Sequence, residues 1–388
     1  MRKALSCKDY KLFSHKSNIR AVFSKQIVIV YIPLFDTLRA KCKIFTKMKN
    51  KDESFQALRG LAIAAVVTIH ACGINNKIAW NYELSLIIRQ LINFAVPIFI
   101  FISGYFAYKG ELKKRSDYLD FYKKRLSRIL LPYIAWCVLI ILFYKPNYQW
   151  HWSKIFYHVI TGQIVTPYYF VIVLIQLIVL TPFMVMSTKS TVKNFLWLSL
   201  SPLSLVGLYF SHLYFHYEIK LPWYALPFTV WVSFYYFGIL ASQGKLVVPN
   251  KNIKNITLLY ICSIFLAVAE GFYLCKAHNL HGFAGSQIKV SSFLSSFLLI
   301  LLFLGTRKKI GNWPKALIIL GEFSFGIYLF HVPVLDLFSR ITSKIGLQNF
   351  WITQLLINSW GVIALCCVVI IAARKVLGIQ VSQKYLGM

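Results

Sequence analysis

Polar residues in this chain are gathered into short stretches that separate long apolar runs. Runs of about 20 apolar residues, wound as α-helix, match the hydrocarbon thickness of a bilayer. Ten such runs are predicted as spans, at about 57–74, 84–108, 129–144, 168–186, 195–211, 222–242, 256–275, 288–305, 315–337 and 351–373. The pattern predicts an all-α membrane protein with about ten transmembrane helices.

The basic residues between the runs add an orientation. The second connection carries Lys109, Lys113, Lys114, Arg115, Lys123, Lys124, Arg125 and Arg128, whereas the first carries only Lys77. Later even connections hold Lys189 and Lys193, then Lys245, Lys251 and Lys254, then Arg307, Lys308 and Lys309; odd connections hold one or two basic residues each. Lysine and arginine favour cytoplasmic loops, so both termini and the even connections are expected on the cytoplasmic side. The first span then runs from inside to outside.

Residues 1–47 depart from this pattern. They are basic and mixed, their apolar stretch at 26–35 is too short to span, and they lack the small-residue cleavage site of a secretory signal. A dispensable extension or an upstream mis-start ahead of Met48 is expected, with an amphipathic surface anchor as the alternative. The remainder, 48–388, reads as a transmembrane domain with no added soluble catalytic domain.

Composition supports the membrane reading. Hydrophobic residues make up 58% of the 388 and charged ones 14%, and the mean hydropathy is +0.61; soluble domains carry about 25% charged residues. A balance of 43 basic to 12 acidic residues would suit nucleic acid, but the charges fall between apolar runs rather than on one face of a soluble fold. The bilayer is therefore the expected partner, and nucleic acid is not. The eight cysteines form no CxxC pair and mostly lie in spans, so neither a disulfide frame nor a metal site is indicated.

Against this background a few ionisable residues stand out, because each costs about 3 kcal/mol or more inside hydrocarbon. Arg59 and His70 lie in one run, FQALRGLAIAAVVTIHACGI, separated by ten residues; helical rise places them about 16 Å apart along the axis. Arg89 falls in the outer half of span two, Glu270 toward the outer end of span seven, and Glu322 and His331 near the inner and outer ends of span nine. Spans one and nine run the same way, so His70 and His331 are expected at similar depth. His70, Arg89, Glu270 and His331 could converge in the outer half, a set suited to proton transfer and to anionic or hydroxyl-rich ligands.

Four segments resemble the acyltransferase 3 family of integral membrane acyltransferases. They are FQALRGLAIAAVVTIHA, with its Arg, ten residues, His pattern; VPIFIFISGYFAYKG, with Pro97, Ser103, Gly104 and Tyr105; FYKKRLSRILLPYIAW, with Arg125 and Arg128 ahead of Pro132 and Tyr133; and GEFSFGIYLFHVPVL, with Gly326, Tyr328, Leu329, His331 and Pro333. They are spread over residues 55–335, and their order and spacing carry the likeness.

The resemblance implies transfer of an acyl group, commonly acetyl, from cytoplasmic acyl-CoA to a hydroxyl of an envelope glycan or lipid-linked saccharide such as O-antigen, capsule or exopolysaccharide. It implies a multi-pass protein of the bacterial inner membrane, with acyl-CoA as donor co-substrate and no bound cofactor. Arg59, Arg125 and Arg128, with Lys123 and Lys124, could hold the CoA phosphates, since arginine forms bidentate contacts with phosphate. The pantetheine arm is about as long as the Arg59 to His70 separation. His70 is the leading candidate base for the sugar hydroxyl. Glu270 or His331 could orient it or relay its proton, Arg89 could stabilise an oxyanion or bind substrate, and Ser103, Tyr105 and Tyr328 enter as substrate-binding candidates.

Each of these residues also has a plainer account. His70 could bond a neighbouring helix carbonyl, Arg59 could snorkel to the inner interface, and the RxxR element could only set topology. Glu322 could be a solvated cap. His331 could cap a helix interrupted by Pro333, whose missing N–H frees a carbonyl. Glu270 could pair with Lys276 or Arg89. The 31 Phe, 23 Tyr and 10 Trp suit lipid contact. Of the rival functions, a polyprenol-linked glycan flippase should show an internal repeat with broken helices in matching halves, and an envelope glycan polymerase a large outer loop. Neither feature is found, and a flippase has no need of a phosphate cradle.

Overall fold

The computed structural model describes residues 52–73, 79–107, 115–144 and 151–388. The expectations for residues 1–47, Met48, Lys77, Lys109, Lys113 and Lys114 lie outside the described residues. Within them the regular elements are helical and no strand occurs, as a bilayer requires of any open chain that must satisfy its own backbone.

Thirteen helices are used below: α1 (Glu53–Cys72), α2 (Ala79–Ile92), α3 (Ala95–Tyr105), α4 (Arg115–Leu139), α5 (Trp152–Thr161), α6 (Tyr169–Ser187), α7 (Thr191–Tyr209), α8 (Val232–Ser242), α9 (Ile253–His278), α10 (His281–Ala284), α11 (Val290–Thr306), α12 (Lys315–Lys344) and α13 (Trp351–Leu377). Eight stretches are long and apolar enough to cross a membrane; α2 and α3 together form one of them. The other two expected spans are shorter. The eighth is the 17-residue α11, and the sixth, expected at 222–242, is helical only over the 11 residues of α8, because Pro222 and Pro227 interrupt its first half. The charge pattern predicts a connection for the basic stretch before span three. This stretch is instead continuous with the span as α4, which puts Arg125 and Arg128 on one face, three residues apart.

The core is built on α1, which α3, α12 and α13 enclose. A Cβ at Gly60 would stand 2.0 Å from the Leu317 carbonyl oxygen, and one at Gly321 would stand 1.8 Å from that of Gln56. The two backbones therefore touch, as small residues permit when helices associate without a hydrophobic drive. The helices run parallel, and His70 and His331 each lie ten residues beyond the glycine of their own helix. Gly104 and Gly238 make the same kind of crossing between α3 and α8.

Irregular backbone within the bundle is satisfied by side chains. Gln176 on α6 donates to the Leu226 carbonyl (3.1 Å) and accepts from the Phe228 N–H (3.0 Å), and the Trp231 indole donates to the Ala225 carbonyl (2.7 Å). Residues 284–288, from the end of α10 toward α11, are held by Gln90, which donates to the Ala284 carbonyl (3.2 Å), and by Asn93, which donates to that of Ser286 (3.1 Å). Asn93 occupies the break between α2 and α3, so this interruption clamps the irregular segment in place. The carbonyl of Leu329, four residues before Pro333, accepts from the Tyr168 hydroxyl at 2.5 Å, so Tyr168 takes the group that the proline frees.

Gly321→Ala should lower the yield of folded, monodisperse protein in detergent and its Tm, since the methyl group cannot be accommodated without separating α1 from α12; overpacking costs about 1–3 kcal/mol, occasionally more. Gly207→Ala, where a Cβ meets nothing within 4 Å, should leave both unchanged. Equal behaviour of the two variants would contradict the backbone contact.

Candidate active site

The parallel register of α1 and α12 brings the two histidines together, their ring centroids 5.2 Å apart with the planes tilted by 47°. His331 is fully buried, and its Nδ1 lies 2.8 Å from the Tyr328 carbonyl and 3.2 Å from that of Ile327. A carbonyl can only accept, so Nδ1 carries the proton and Nε2 presents a lone pair in the neutral ring. Nε2 is buried and without a hydrogen-bond partner among the described residues. His70 is half-buried and faces a cavity of about 90 Å³.

Arg89 reaches the same cavity from α2, with Tyr169, Tyr224 and Ser286. Its guanidinium packs against Gly285, where a Cβ would stand 3.0 Å from Cζ. Its Nε is buried and has no hydrogen-bond partner among the described residues. This cavity therefore holds an imidazole and a cation with open donor capacity, surrounded by apolar and phenolic walls. That is the composition of a site that receives a group gaining negative charge.

A second cavity, of about 260 Å³, lies along the N-terminal half of α1. Arg59, Arg125 and Arg128 line it with Ser103, Tyr235 and Tyr328, and among the described residues no carboxylate does. Arg125 donates to the Phe106 carbonyl, and the Arg59 guanidinium lies 5.6 Å from the centre of the Phe106 ring. Three guanidinium groups around one cavity repel each other, and an anion relieves that repulsion; planar forks suit phosphate in particular.

Glu270 is not with the histidines. Its carboxylate accepts from the Ser291 N–H at 3.2 Å and from the hydroxyls of Ser291 and Tyr209, and it lies 3.6 Å from Lys289 Nζ. The carboxylate thus caps the N-terminus of α11, where a negative charge is favoured, and neutralises a lysine that is 0% exposed. The expectation that Glu270 orients His70 or relays its proton gains no support from this placement, and the structural excuse is Lys289 rather than Lys276 or Arg89. Lys276 pairs with Glu83 at 3.0 Å instead. Tyr105, expected at the substrate, accepts from Arg307 at 3.2 Å and lies 4.3 Å from the Phe55 ring; it lines neither cavity. Glu322 sits 3.9 Å from Arg374, an ion pair between α12 and α13 rather than a solvated cap.

Several residues at the site or at the Glu270 cluster carry little or no sequence signal. Phe99 and Phe170 belong to undifferentiated apolar runs. Lys289 and the buried serines 291, 292, 295 and 296 were detectable as a charge and a polar stripe inside an expected span.

Bundle, histidine pair and arginine cavity together describe an integral membrane acyltransferase. The chain belongs to the acyltransferase 3 family, whose acyltransferase-domain model matches residues 52–373. The chain is also similar to a protein of Acidianus two-tailed virus named "Putative acetyltransferase ORF330", with 25% identity over 348 residues, covering 83% of this chain and 95% of that one. No solved structure matches the chain. Membership decides against a flippase without acyl-transfer chemistry.

Removing Glu270 alone would strand a buried ammonium, at a cost of about 3–5 kcal/mol, so Glu270→Ala should reduce membrane-inserted protein. Glu270→Gln combined with Lys289→Met keeps shape and the helix cap, and should restore protein level and acyl transfer together. Restored protein with lost transfer would return Glu270 to the chemistry.

Proposed function

We propose that this protein is an O-acyltransferase that moves an acyl group, most simply acetyl, from acyl-CoA at the arginine cavity to a hydroxyl of an envelope glycan or lipid-linked saccharide at the histidine cavity. The carrying observation is that the two cavities share a wall. Both are lined by Tyr328, with Arg59, Arg125 and Arg128 on one side and His70 and Arg89 on the other. The basic-residue count favours a cytoplasmic arginine side, which supports reading the donor as inside and the acceptor as at the outer face of a bacterial cytoplasmic membrane.

The CoA phosphates rest on the three arginines and the pantetheine arm runs toward His70. His70 takes the proton of the acceptor hydroxyl as its oxygen attacks the thioester carbonyl. Arg89 stabilises the oxyanion that forms. The C–S bond then breaks, the acyl group stays on the acceptor oxygen, and the thiolate recovers the proton from His70. His331, its tautomer fixed by the Tyr328 carbonyl, packs beside His70 as a neutral ring and steadies the imidazolium. Ser103 and Tyr328 line the donor's path.

His70→Ala should lower acylation at least 100-fold at unchanged protein level, since positioned general bases contribute about 10²–10⁴. Near-normal acylation would remove His70 as the base. Arg125→Ala with Arg128→Ala should raise the KM for acyl-CoA much more than it lowers kcat, and an unchanged KM would return these residues to a topological role.

A further inference from the structure

The arginine cavity and the histidine cavity share three lining residues, Phe99, Phe170 and Tyr328, one each from α3, α6 and α12. The rings contact one another edge to face. Phe99 and Phe170 have centroids 6.3 Å apart at 60°, and Phe170 and Tyr328 5.6 Å apart at 66°. The three rings therefore form a partition common to both cavities.

The members of this partition are not held equally. The Tyr328 hydroxyl donates to the Pro167 carbonyl at 2.5 Å, and its ring stacks on Phe325 at 6.3 Å and 8°. Phe170 is buried against Tyr328. Phe99 is only partly buried, and its ring contact on this partition is the single edge-to-face one with Phe170. Phe99 also packs against the core, but an edge-to-face contact is a weak restraint, and cavities on both sides leave the ring room to swing. Its own backbone is fixed: the Phe99 carbonyl accepts from the Ser103 hydroxyl at 2.8 Å within α3. Motion at this position is motion of the side chain.

We propose that Phe99 is the moving leaf, and Phe170 and Tyr328 the frame, of an aromatic gate between the arginine cavity and the histidine cavity. Resting on the donor and acceptor reading above, the gate admits the acylated end of the pantetheine arm to His70 and otherwise keeps the thioester away from water on the acceptor side. Closure of this kind suppresses hydrolysis of an activated group. A closed ring also limits the acyl chain that passes, so the gate contributes to donor selection.

Two readouts separate the gate from the reaction it serves. In a chain whose native cysteines are replaced, Ser286→Cys places a thiol on the wall of the histidine cavity. An anionic methanethiosulfonate added from the side of Arg125 should modify it slowly with Phe99 present, about fivefold or more faster with Phe99→Ala, and no faster with Phe99→Trp. In the second readout, Phe99→Ala should raise acceptor-independent hydrolysis of acetyl-CoA about fivefold, with water adding to the carbonyl and acetate and CoA thiol leaving, and should extend use to butyryl-CoA. Phe99→Trp should slow transfer to the acceptor. Modification rates that ignore residue 99 would overturn the gate whatever the enzyme assay gives. Rates that depend on residue 99, in a protein that does not consume acetyl-CoA even with acceptor present, would overturn the cargo assigned here together with the donor reading.

Discussion

The direct contact of two helix backbones at Gly60 and Gly321 is the constraint from which the site follows. In a bilayer, apolar side chains gain little by leaving lipid for one another, so close approach and dispersion must hold helices together. The contact sets separation and register at once, because each glycine faces the carbonyl four residues before its partner. With both helices parallel, equal steps along each reach equal depth. The histidines that lie ten residues on meet at 5.2 Å without any strong interaction of their own. A strained or repulsive pair of imidazoles could not assemble the bundle, whereas the glycines can, and they do so far from the chemistry.

Around this axis, polar side chains are spent on backbone that is not helical. Gln90 and Asn93 hold residues 284–288, Gln176 holds the chain before α8, Glu270 caps α11, and Tyr168 answers the proline in α12. Non-helical backbone at membrane depth is tolerated where protein encloses it or where it lines a cavity. Here it does the latter, for Ser286 and Ala225 both face the histidine cavity. The same irregular segments that would be unaffordable against lipid supply the width of the site and the floor on which Arg89 rests.

Much of this was legible beforehand, and the misses share a cause. Helical rise gives depth, so His70 and His331 could be placed at one level from spacing alone. It gives no azimuth, so Glu270, placed with them in the outer half, turned out to face Tyr209 and Lys289. Hydropathy finds runs but not breaks, so it predicts helix in the first half of span six although two prolines interrupt it. Motif and depth group Arg125 and Arg128 with Arg59, and the three line one cavity; that Arg125 and Arg128 sit on a helix continuous with span three was not legible. Phe99 and Phe170 carried no signal at all, since in an apolar chain a gating ring and a lipid-facing ring have the same composition.

The central claim is that donor and acceptor occupy opposite ends of one path, joined at Tyr328. Purified protein in sealed vesicles, with radiolabelled acetyl-CoA confined to the side of Arg125 and the saccharide acceptor confined to the other, tests it most directly. The account predicts label on the acceptor, free CoA retained on the donor side, and no transfer when the two compartments are exchanged. Transfer only when donor and acceptor share a compartment would contradict it.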